Sequence, residues 1–389
     1  MIDDRQSLST QLTMLARISI KPSRFILCFL FISVSLTPVY GKDTIDIAAI
    51  YALTGVAAHT NALTLQGVGY AVDEINKQGG VLSKKINLLV FDNQSTPIGS
   101  TLAAQRAAEA GVVGIVGSDW SSHSIAVARV AQNKGIPMIS SLSTTPEVTK
   151  IGDYIYRVCF TDDFQGQITA KFARQDLNAA TATIFVDVTS DYSLKLSQIF
   201  RIHFERLGGQ VVLELEYKQK QQQFDEAVKK AVQADADVIF IPGHDESGLI
   251  AKQAQDAGSA SILLGGDGWS SPAFFRKGGG ELKHGYFSTH WSVDLETERS
   301  RSFVDKYAQS EIFDENIALG YDAMMLMADA ITRAGSVDRK KIKIAIANTR
   351  SFEGVTGTID FNQYGDPIKG AVFMEIKNCK PRYLKTQEP

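Results

Sequence analysis

From residue 44 onward, short apolar runs alternate with longer stretches in which apolar residues recur every three or four positions. The runs IDIAAIYAL, INLLVFD, VVGIVG and IPMIS are almost continuous in apolar residues, which is typical of strands buried on both faces. The stretch after the first run carries Leu65, Val68 and Ile75 at helical spacing and ends at a pair of glycines. The pattern predicts a parallel sheet covered by helices on both faces.

The same alternation begins again after residue 180, with TATIFVDV, QVVLELEY, ADVIFIP and SILLGGD as further strands. Two such sets of similar size predict an α/β fold with two doubly wound lobes. Three helical stretches follow residue 294, and GTIDFN and AVFMEIKNC come last. The intervening helices are predicted at Pro97–Ala110, Ser122–Lys134, Asp191–Leu207, Phe224–Ala234 and Glu246–Ala257.

The first 41 residues have a different pattern, which predicts a cleaved signal peptide. Lys21 and Arg24 flank an apolar run, Phe25–Leu36, and small residues follow at Val39 and Gly41. A run of about a dozen apolar residues is too short to span a bilayer of ~30 Å but suits an export signal. A buried N-terminal strand or an uncleaved anchor is the alternative. The signal predicts an exported, periplasmic protein.

Composition narrows the class of protein further. The 389 residues carry a formal net charge of −3, and the lysines and arginines are scattered, so neither nucleic acid nor an anionic membrane surface is an expected partner. The exported chain would keep Cys159 and Cys379, and the sequence leaves open whether they pair or stay as free thiols. No CxxC motif occurs, so neither a redox motif nor a zinc ribbon is indicated.

Hydroxyl residues cluster where the predicted strands end, in VGSDWSSHS, ISSLSTTPE, VTSDYS, PGHDES and GGDGWSS. Ligands of open parallel sheets bind at these carboxyl ends, where helix N-termini favour an anion such as a carboxylate. Any one segment could be a plain helix cap, but two in the first lobe, opposite Tyr192 and Asp267, favour binding. Asp267 is interpreted as the partner of a ligand ammonium or as an Asp-Gly turn. Trp120 and Trp269 could wall a pocket or only pack.

An enzyme is the competing class, and the sequence offers it little support. GxSxG, P-loop and HExxH motifs are missing, and no GxGxxG joins a strand to a helix. Asp119, Ser121 and His123 could be drawn as a hydrolase triad, but residues so close on one loop seldom reach triad geometry. Glu281 and His284 form only a weak metal-ligand pair. The sequence therefore predicts no catalysis, no cofactor and no metal.

Three motifs in order resemble a known family: GxxxAxxEINxxGG from Gly67, DxxxxP from Asp92 and TPExT from Thr145. Over Asp43–Leu384 the chain is similar to the leucine/isoleucine/valine-binding branch of the type I periplasmic binding proteins. The resemblance implies two lobes joined by three crossovers that close over a ligand. It also implies a monomer that delivers its ligand to an ABC permease in the inner membrane. The implied lobes are residues 42–161 with 290–366, and 162–289 with 367–389.

The resemblance also implies roles for individual residues. Ser121 matches a hydroxyl that holds the carboxylate of an amino acid, and Asp267 matches the acidic partner of its ammonium. His123, His244 and the tryptophans indicate a pocket more polar or larger than branched-chain ligands need. A soluble sensor of the same fold, acting on a regulatory partner, is the alternative function. The complete set of predicted ligand-binding residues is Trp120, Ser121, Ser143, Thr144, Tyr192, His244, Asp267 and Tyr321.

Overall fold

The computed structural model describes residues 43–278, 280–308, 313–378 and 380–389. The predicted signal peptide, residues 1–41, lies outside the described residues, and so does Cys379. Cys159 is a buried free thiol, and burial raises its pKa to about 12. No helix in the described ranges combines the length and the apolar character needed to cross a membrane.

The first sheet is wholly parallel, with strand order β2-β1-β3-β4-β5. A helix follows each of the first three strands and returns the chain to the start of the next. The elements, in chain order, are β1 (Thr44–Tyr51), α1 (Ala58–Lys77), β2 (Lys85–Asp92), α2 (Pro97–Glu109), β3 (Gly114–Val116), α3 (Ser121–Lys134), β4 (Met138–Ser140) and β5 (Ile155–Arg157).

Strand β1 shows why its sequence is continuously apolar. Ile47, Ala49 and Tyr51 belong to the core on one face of the sheet, whereas Ala48 and Ile50 belong to the core on the other. Both faces of the sheet are covered, so side chains that point to either face are buried. The strand therefore shows no alternation of apolar and polar residues. The strand is therefore buried up to Tyr51, its last residue.

A second α/β unit follows, and its strands β6 to β10 are parallel to one another. Its elements, in chain order, are α4 (Asp162–Lys171), β6 (Thr181–Asp187), α5 (Asp191–Arg206), β7 (Gln210–Tyr217), α6 (Asp225–Ala234), β8 (Val238–Phe240), α7 (Ser247–Asp256), β9 (Ile262–Gly265), α8 (Pro272–Lys277) and β10 (His284–Thr289).

The chain then returns to the first sheet before it completes the second. Helix α10 packs on α1, and residues of both lie in one core with β1. The last two strands are antiparallel and finish a seven-stranded sheet of order β14-β13-β10-β9-β8-β6-β7. The elements are α9 (Glu298–Tyr307), α10 (Glu315–Ala334), α11 (Arg339–Ala347), the hairpin β11 (Phe352–Gly354) and β12 (Gly357–Ile359), β13 (Ala371–Lys377) and β14 (Lys380–Gln387).

We call the first sheet with α1–α3 and α9–α11 lobe 1, and the second sheet with α4–α8 lobe 2. The chain passes between the lobes three times, in segments 158–161, 290–297 and 360–370. The α/β fold class predicted from the sequence is confirmed. The lobe boundaries stay predictions, and they fall in or beside these three segments. The sequence pattern did not indicate β14, because this edge strand is mostly exposed and polar.

Candidate functional site

A cavity of about 30 Å³ lies where the carboxyl ends of the two sheets meet. As it stands, this space has room for about two water molecules. The lining comes from the loops after β3, β4, β8 and β9 and from the first turns of α1, α5 and α10. The lining residues are Thr60, Asp119, Trp120, Ser121, Leu142, Thr144, Tyr192, His244, Asp245, Asp267, Gly268, Ser270, Ser271 and Asn316.

Six of the eight residues predicted to bind ligand line this cavity, and two do not. Lobe 1 contributes Trp120, Ser121 and Thr144, whereas lobe 2 contributes Tyr192, His244 and Asp267. Residues separated by more than 140 positions thus surround one space, because parallel strands end at the same edge of each sheet. Ser143 and Tyr321 are the two residues that lie elsewhere.

Ser143 connects two loops instead of facing the cavity. Its Oγ lies 2.7 Å from the Asp119 carbonyl oxygen and 2.6 Å from Ser124 Oγ. Ser140 joins the same network by donating to the Ser118 carbonyl at 3.0 Å. The hydroxyls of Ser124, Ser140 and Ser143 therefore hold the two loops together, and this network positions their neighbours at the cavity.

The structure also corrects the predicted placement of Tyr321. Its hydroxyl donates to Glu74 Oε2 at 2.9 Å, in a separate cavity that Phe303 and Tyr307 help to line. Only the first turn of α10 reaches the ligand cavity. Tyr321 lies six residues beyond the start of that helix, about 9 Å further along the axis at 1.5 Å per residue.

The N-terminus of α3 points at the cavity without a capping side chain. Its N-cap residue is Trp120, which makes no capping hydrogen bond, and Ser121 is the first helical residue. The unpaired N–H groups and the positive end of the helix dipole therefore favour an anion there. Thr144, from the loop after β4, lies in the same cavity wall and adds a hydroxyl. The lining includes no Lys or Arg among the described residues.

Two glycines allow the backbone to approach closely around this site. Gly117, directly after β3, has φ +114°, and a Cβ there would lie 2.4 Å from the Ile50 carbonyl oxygen. A Cβ on Gly268 would lie 2.3 Å from the Gly243 carbonyl oxygen. Side chains at either position would separate these loops. The second contact keeps Asp267 and His244 next to each other.

Asp267 is a buried carboxylate with one unsatisfied oxygen. Burial raises its pKa, but contacts with His290, Gln165 and Tyr192 lower it further, so its pKa lies below the usual range and the group is ionised. His290 Nε2 is 3.4 Å from Oδ2, yet burial lowers the pKa of that ring and keeps it neutral. Oδ1 has no hydrogen-bond partner in the described part of the chain. The site therefore carries a negative charge that a cation would satisfy.

Two contacts connect the lobes beside the cavity. The rings of Trp120 in lobe 1 and His244 in lobe 2 stack at 4.4 Å with an interplanar angle of 8°. His59 Nε2 of lobe 1 lies 3.2 Å from Asp245 Oδ2 of lobe 2. Both contacts belong to a closed arrangement of the lobes, since each needs a residue from both sides. Within lobe 2, Tyr192 also stacks on His244, at 5.1 Å.

Glu315 is a second buried carboxyl group beside the site, and sequence reasoning missed it. As the first residue of α10, it accepts hydrogen bonds from Ser270 Oγ, Thr289 Oγ1 and the His290 N–H, the last at 2.6 Å. Burial and the Asp267 charge raise its pKa. Glu315 thus connects lobe 1 to the end of β10, where the chain crosses between lobes.

Eight lining residues were not predicted from the sequence to bind ligand. Six of them lie inside hydroxyl-rich segments that the sequence did indicate, namely Asp119, Leu142, Asp245, Gly268, Ser270 and Ser271. Gly268 adjoins Asp267 and could have been found with it. Thr60 and Asn316 sit in helix first turns, where a polar residue gives no signal of its own.

Asp119 combines burial with an unusual pKa. Thr64 Oγ1 donates to Oδ2 at 2.7 Å, whereas Oδ1 has no partner in the described chain. Burial raises the pKa of Asp119 to about 8, Thr64 lowers it and the charge of Asp314 raises it. The free protein therefore holds this carboxyl group largely protonated at neutral pH.

Asp119→Asn should change how stability depends on pH. The folded pKa of Asp119 exceeds its unfolded value of 3.8, so its contribution is complete below about pH 4 and is lost as the pH rises towards 8. An amide cannot ionise and escapes this loss. Denaturant unfolding of ligand-free protein should show the variant gaining free energy of unfolding relative to the wild type from about pH 5 to about pH 8. A constant difference across that range would contradict the assigned pKa.

The sequence model of the periplasmic binding protein family matches residues 44–380. The chain belongs to this family. The predicted resemblance to the leucine/isoleucine/valine-binding branch is confirmed as well. Members of the family are periplasmic substrate-binding components of transport systems and not enzymes, which confirms the prediction that the chain is no enzyme.

Several relatives of this periplasmic binding protein cover nearly the whole chain. It is 28% identical over 338 residues to the Leu/Ile/Val-binding protein BraC3 of Rhizobium johnstonii, covering 86% of this chain and 91% of that protein. The leucine-binding protein LivK of Thermotoga maritima aligns with a TM-score of 0.84 at 33% identity, over 89% and 99% of the two chains. LivJ of Streptococcus pneumoniae, in complex with isoleucine, gives 0.83 at 29% identity, over 89% and 100%.

The geometry agrees with a binding protein. The hydrogen bond found at Ser121 Oγ comes from the Thr145 N–H at 3.4 Å, and His123 Nδ1 has no partner in the described chain, so the triad drawn from the sequence does not assemble. Trp269 packs in the core against Phe274 at 4.5 Å instead of lining the cavity. The described residues contain no group of three or more His, Cys, Asp or Glu side chains placed to hold a metal ion.

Proposed function

We propose that this periplasmic binding protein is the substrate-binding component of an ABC importer and encloses a small α-amino acid between its lobes. Asp267 carries the proposal, because it is an ionised, buried carboxylate with a free oxygen at the cavity. An α-ammonium group supplies the charge and the hydrogen-bond donors that this oxygen lacks. The neutral His290 ring does not compensate the charge.

The opposite wall suits the α-carboxylate. The uncapped first turn of α3, with Ser121 and Thr144 beside it, offers donors and no competing negative charge at that end. Because α3 belongs to lobe 1 and Asp267 to lobe 2, a ligand with both groups would connect the lobes. Such a zwitterion favours the closed arrangement over the open one by its difference in affinity for the two.

The relatives support a transport role. Their names describe Leu/Ile/Val-binding and leucine-binding proteins, and one is described as a branched-chain amino acid transporter substrate-binding protein. We infer a protein that acts as a monomer in the periplasm after loss of residues 1–41 and passes its ligand to an inner-membrane ABC permease. His244 and Trp120 would then close over the bound ligand as a stacked pair.

The test is a thermal-shift screen of purified protein, unfolded and refolded to strip bound ligand, against the common amino acids. Ligand at about 1,000 times its Kd should stabilise the fold by about 4 kcal/mol, which raises Tm by several degrees. Each amino acid that raises Tm is then repeated as its N-acetyl derivative and as its carboxamide. Both modified ligands should lose the effect, because each lacks one of the two charges.

The proposal fails if none of the common α-amino acids raises Tm. It also fails if the N-acetyl derivative and the carboxamide stabilise the protein as well as the parent amino acid. Either result would show that the cavity does not recognise the paired ammonium and carboxylate groups.

A further inference from the structure

The inner part of the cavity carries two further acceptor atoms that nothing in the protein satisfies. Asp119 is 2% exposed and Asn316 is 1% exposed, and both line the cavity. Asp119 Oδ1 and Asn316 Oδ1 each lack a hydrogen-bond partner in the described residues. Buried polar atoms are nearly always paired, so two unpaired acceptors in one cavity wall point to a ligand that pairs them.

The orientation of the Asn316 amide is set by its neighbour. Asp314 accepts hydrogen bonds from the Asn316 N–H and from Asn316 Nδ2, both at 3.0 Å. A carboxylate accepts but does not donate when ionised, so the NH₂ group must face Asp314 and the oxygen must face away from it. The free atom is therefore an acceptor and calls for a donor.

Asp119 and Asn316 lie in the same region of lobe 1. Asp314, which holds the Asn316 amide, is close enough to Asp119 for its charge to raise the pKa of Asp119. Thr64 fixes the other Asp119 oxygen at 2.7 Å, so Oδ1 is the atom left free. The two oxygens thus share one polar wall, apart from Asp267 in lobe 2. Because the neutral acid would present an O–H group at Oδ1, Asp119 accepts a hydrogen bond from a ligand at this atom in its ionised form.

The apolar lining of the cavity is mostly aromatic. Leu142 is the single aliphatic residue among those that line the cavity in the described chain, beside the rings of Trp120, Tyr192 and His244. Asp245 is already satisfied by His59 at 3.2 Å and by Ser271 at 2.9 Å, and it does not compete for the ligand. An apolar ligand group here would displace water from Asp119 and Asn316 without offering either residue a hydrogen bond.

We propose that the ligand is an α-amino acid whose side chain ends in a hydrogen-bond donor, which Asp119 Oδ1 and Asn316 Oδ1 accept. This inference rests on the proposed function, since it assumes that the α-ammonium is held by Asp267. Hydroxyl, amide and ammonium groups share the required chemistry, and a site built to pair such a group discriminates strongly against an isostere that lacks it. The side-chain preference of this protein therefore departs from the branched-chain ligands named for BraC3 and LivJ.

The experiment compares ligand pairs of equal shape by isothermal titration calorimetry on the stripped protein. The pairs are threonine with valine, asparagine with leucine, and 2,4-diaminobutyrate with norvaline. We expect the donor-bearing member to bind at least tenfold more tightly in at least one pair. The pair that shows the preference identifies the donor as hydroxyl, amide or ammonium.

Two variants test whether Asp119 and Asn316 cause the preference for a ligand with a side-chain donor. In Asp119→Leu and Asn316→Leu, the preference found in the wild type should fall to threefold or less. Asp119→Asn is the variant of matched size: its amide oxygen accepts from Thr64, so its NH₂ group replaces the free Oδ1 and the preference for a donor should fall as in Asp119→Leu. The wild-type comparison needs no variant, so it remains decisive where a variant does not fold.

The possible failures are distinguishable. If both members of some pair bind but none of the pairs reaches a tenfold preference for the donor, the side-chain inference is overturned and the proposed function stands. If a preference exists but survives unchanged in both leucine variants, the assignment of Asp119 and Asn316 is overturned. If no member of any pair binds, the proposed function and the inference fail together.

Discussion

Asp267→Asn should lower the affinity of this binding protein for its α-amino acid by about a hundredfold or more. Removing one partner of a buried charge pair typically costs about 2–5 kcal/mol, and much of that cost is the unpaired charge left behind. Here the ligand ammonium would remain in a closed cavity without its counter-charge, because His290 is neutral. Calorimetric titration of the stripped variant and the wild type measures the effect.

Asp162→Asn is the matched control for this experiment. Asp162 is also a fully buried carboxyl group close to Asp267, but it does not line the cavity. Burial and the Asp267 charge raise its pKa, whereas a hydrogen bond from Thr144 lowers it, so the amide imitates the neutral form and keeps an oxygen that accepts from Thr144. The affinity of Asp162→Asn for the α-amino acid should stay within about threefold of the wild-type affinity. Equal losses in the two variants would refute a specific role for Asp267, as would full affinity in Asp267→Asn.

Arg157→Leu should destabilise the protein by about 3–5 kcal/mol, since it leaves Asp366 as an unpaired buried charge. Arg157 is fully buried, and its Nε lies 2.8 Å from Asp366 Oδ1. Its other nitrogens donate to the carbonyls of Ser143 at 2.5 Å and Thr145 at 2.8 Å. Those carbonyls flank Thr144, so the variant should bind ligand more weakly even where it is folded.

Denaturant unfolding measures the stability of this variant, and titration under strongly native conditions measures its affinity. The control is Arg201→Leu, which removes a guanidinium from a partly exposed pair with Glu214. Exposed pairs contribute about 0–1 kcal/mol, so this variant should lose little stability and no affinity. A loss for Arg157→Leu as small as for the control would show that the buried pair does not support the loop.

The sequence pattern predicted the helices well, because the ends of a helix are marked by residues that lie close to them in the chain. The five helices that the sequence bounded begin and end within one residue of those observed, as for Asp191–Leu207 against Asp191–Arg206. Their caps, such as Thr96 and Ser190, are themselves local signals. The sequence pattern did not predict strand β14, because an exposed edge strand has no apolar face.

The sequence also placed Trp120, Ser121, Thr144, Tyr192, His244 and Asp267 at strand ends or helix starts, and all six line the cavity. It could not separate Ser143 from Thr144, because adjacent loop residues differ only in where their side chains point. It misplaced Tyr321, since distance along a long helix decides what touches a cavity at its end.

By itself, the sequence determined the fold class, the order of the elements and the loops that reach the cavity, because periodicity and strand ends are local properties. Only the tertiary structure decided which atoms remain unsatisfied. Asp119 lies in the loop after β3, whereas Glu315 and Asn316 lie in the first turn of α10, far along the chain. Burial, partners and pKa depend on what packs around a group, and packing joins residues that the chain itself keeps apart.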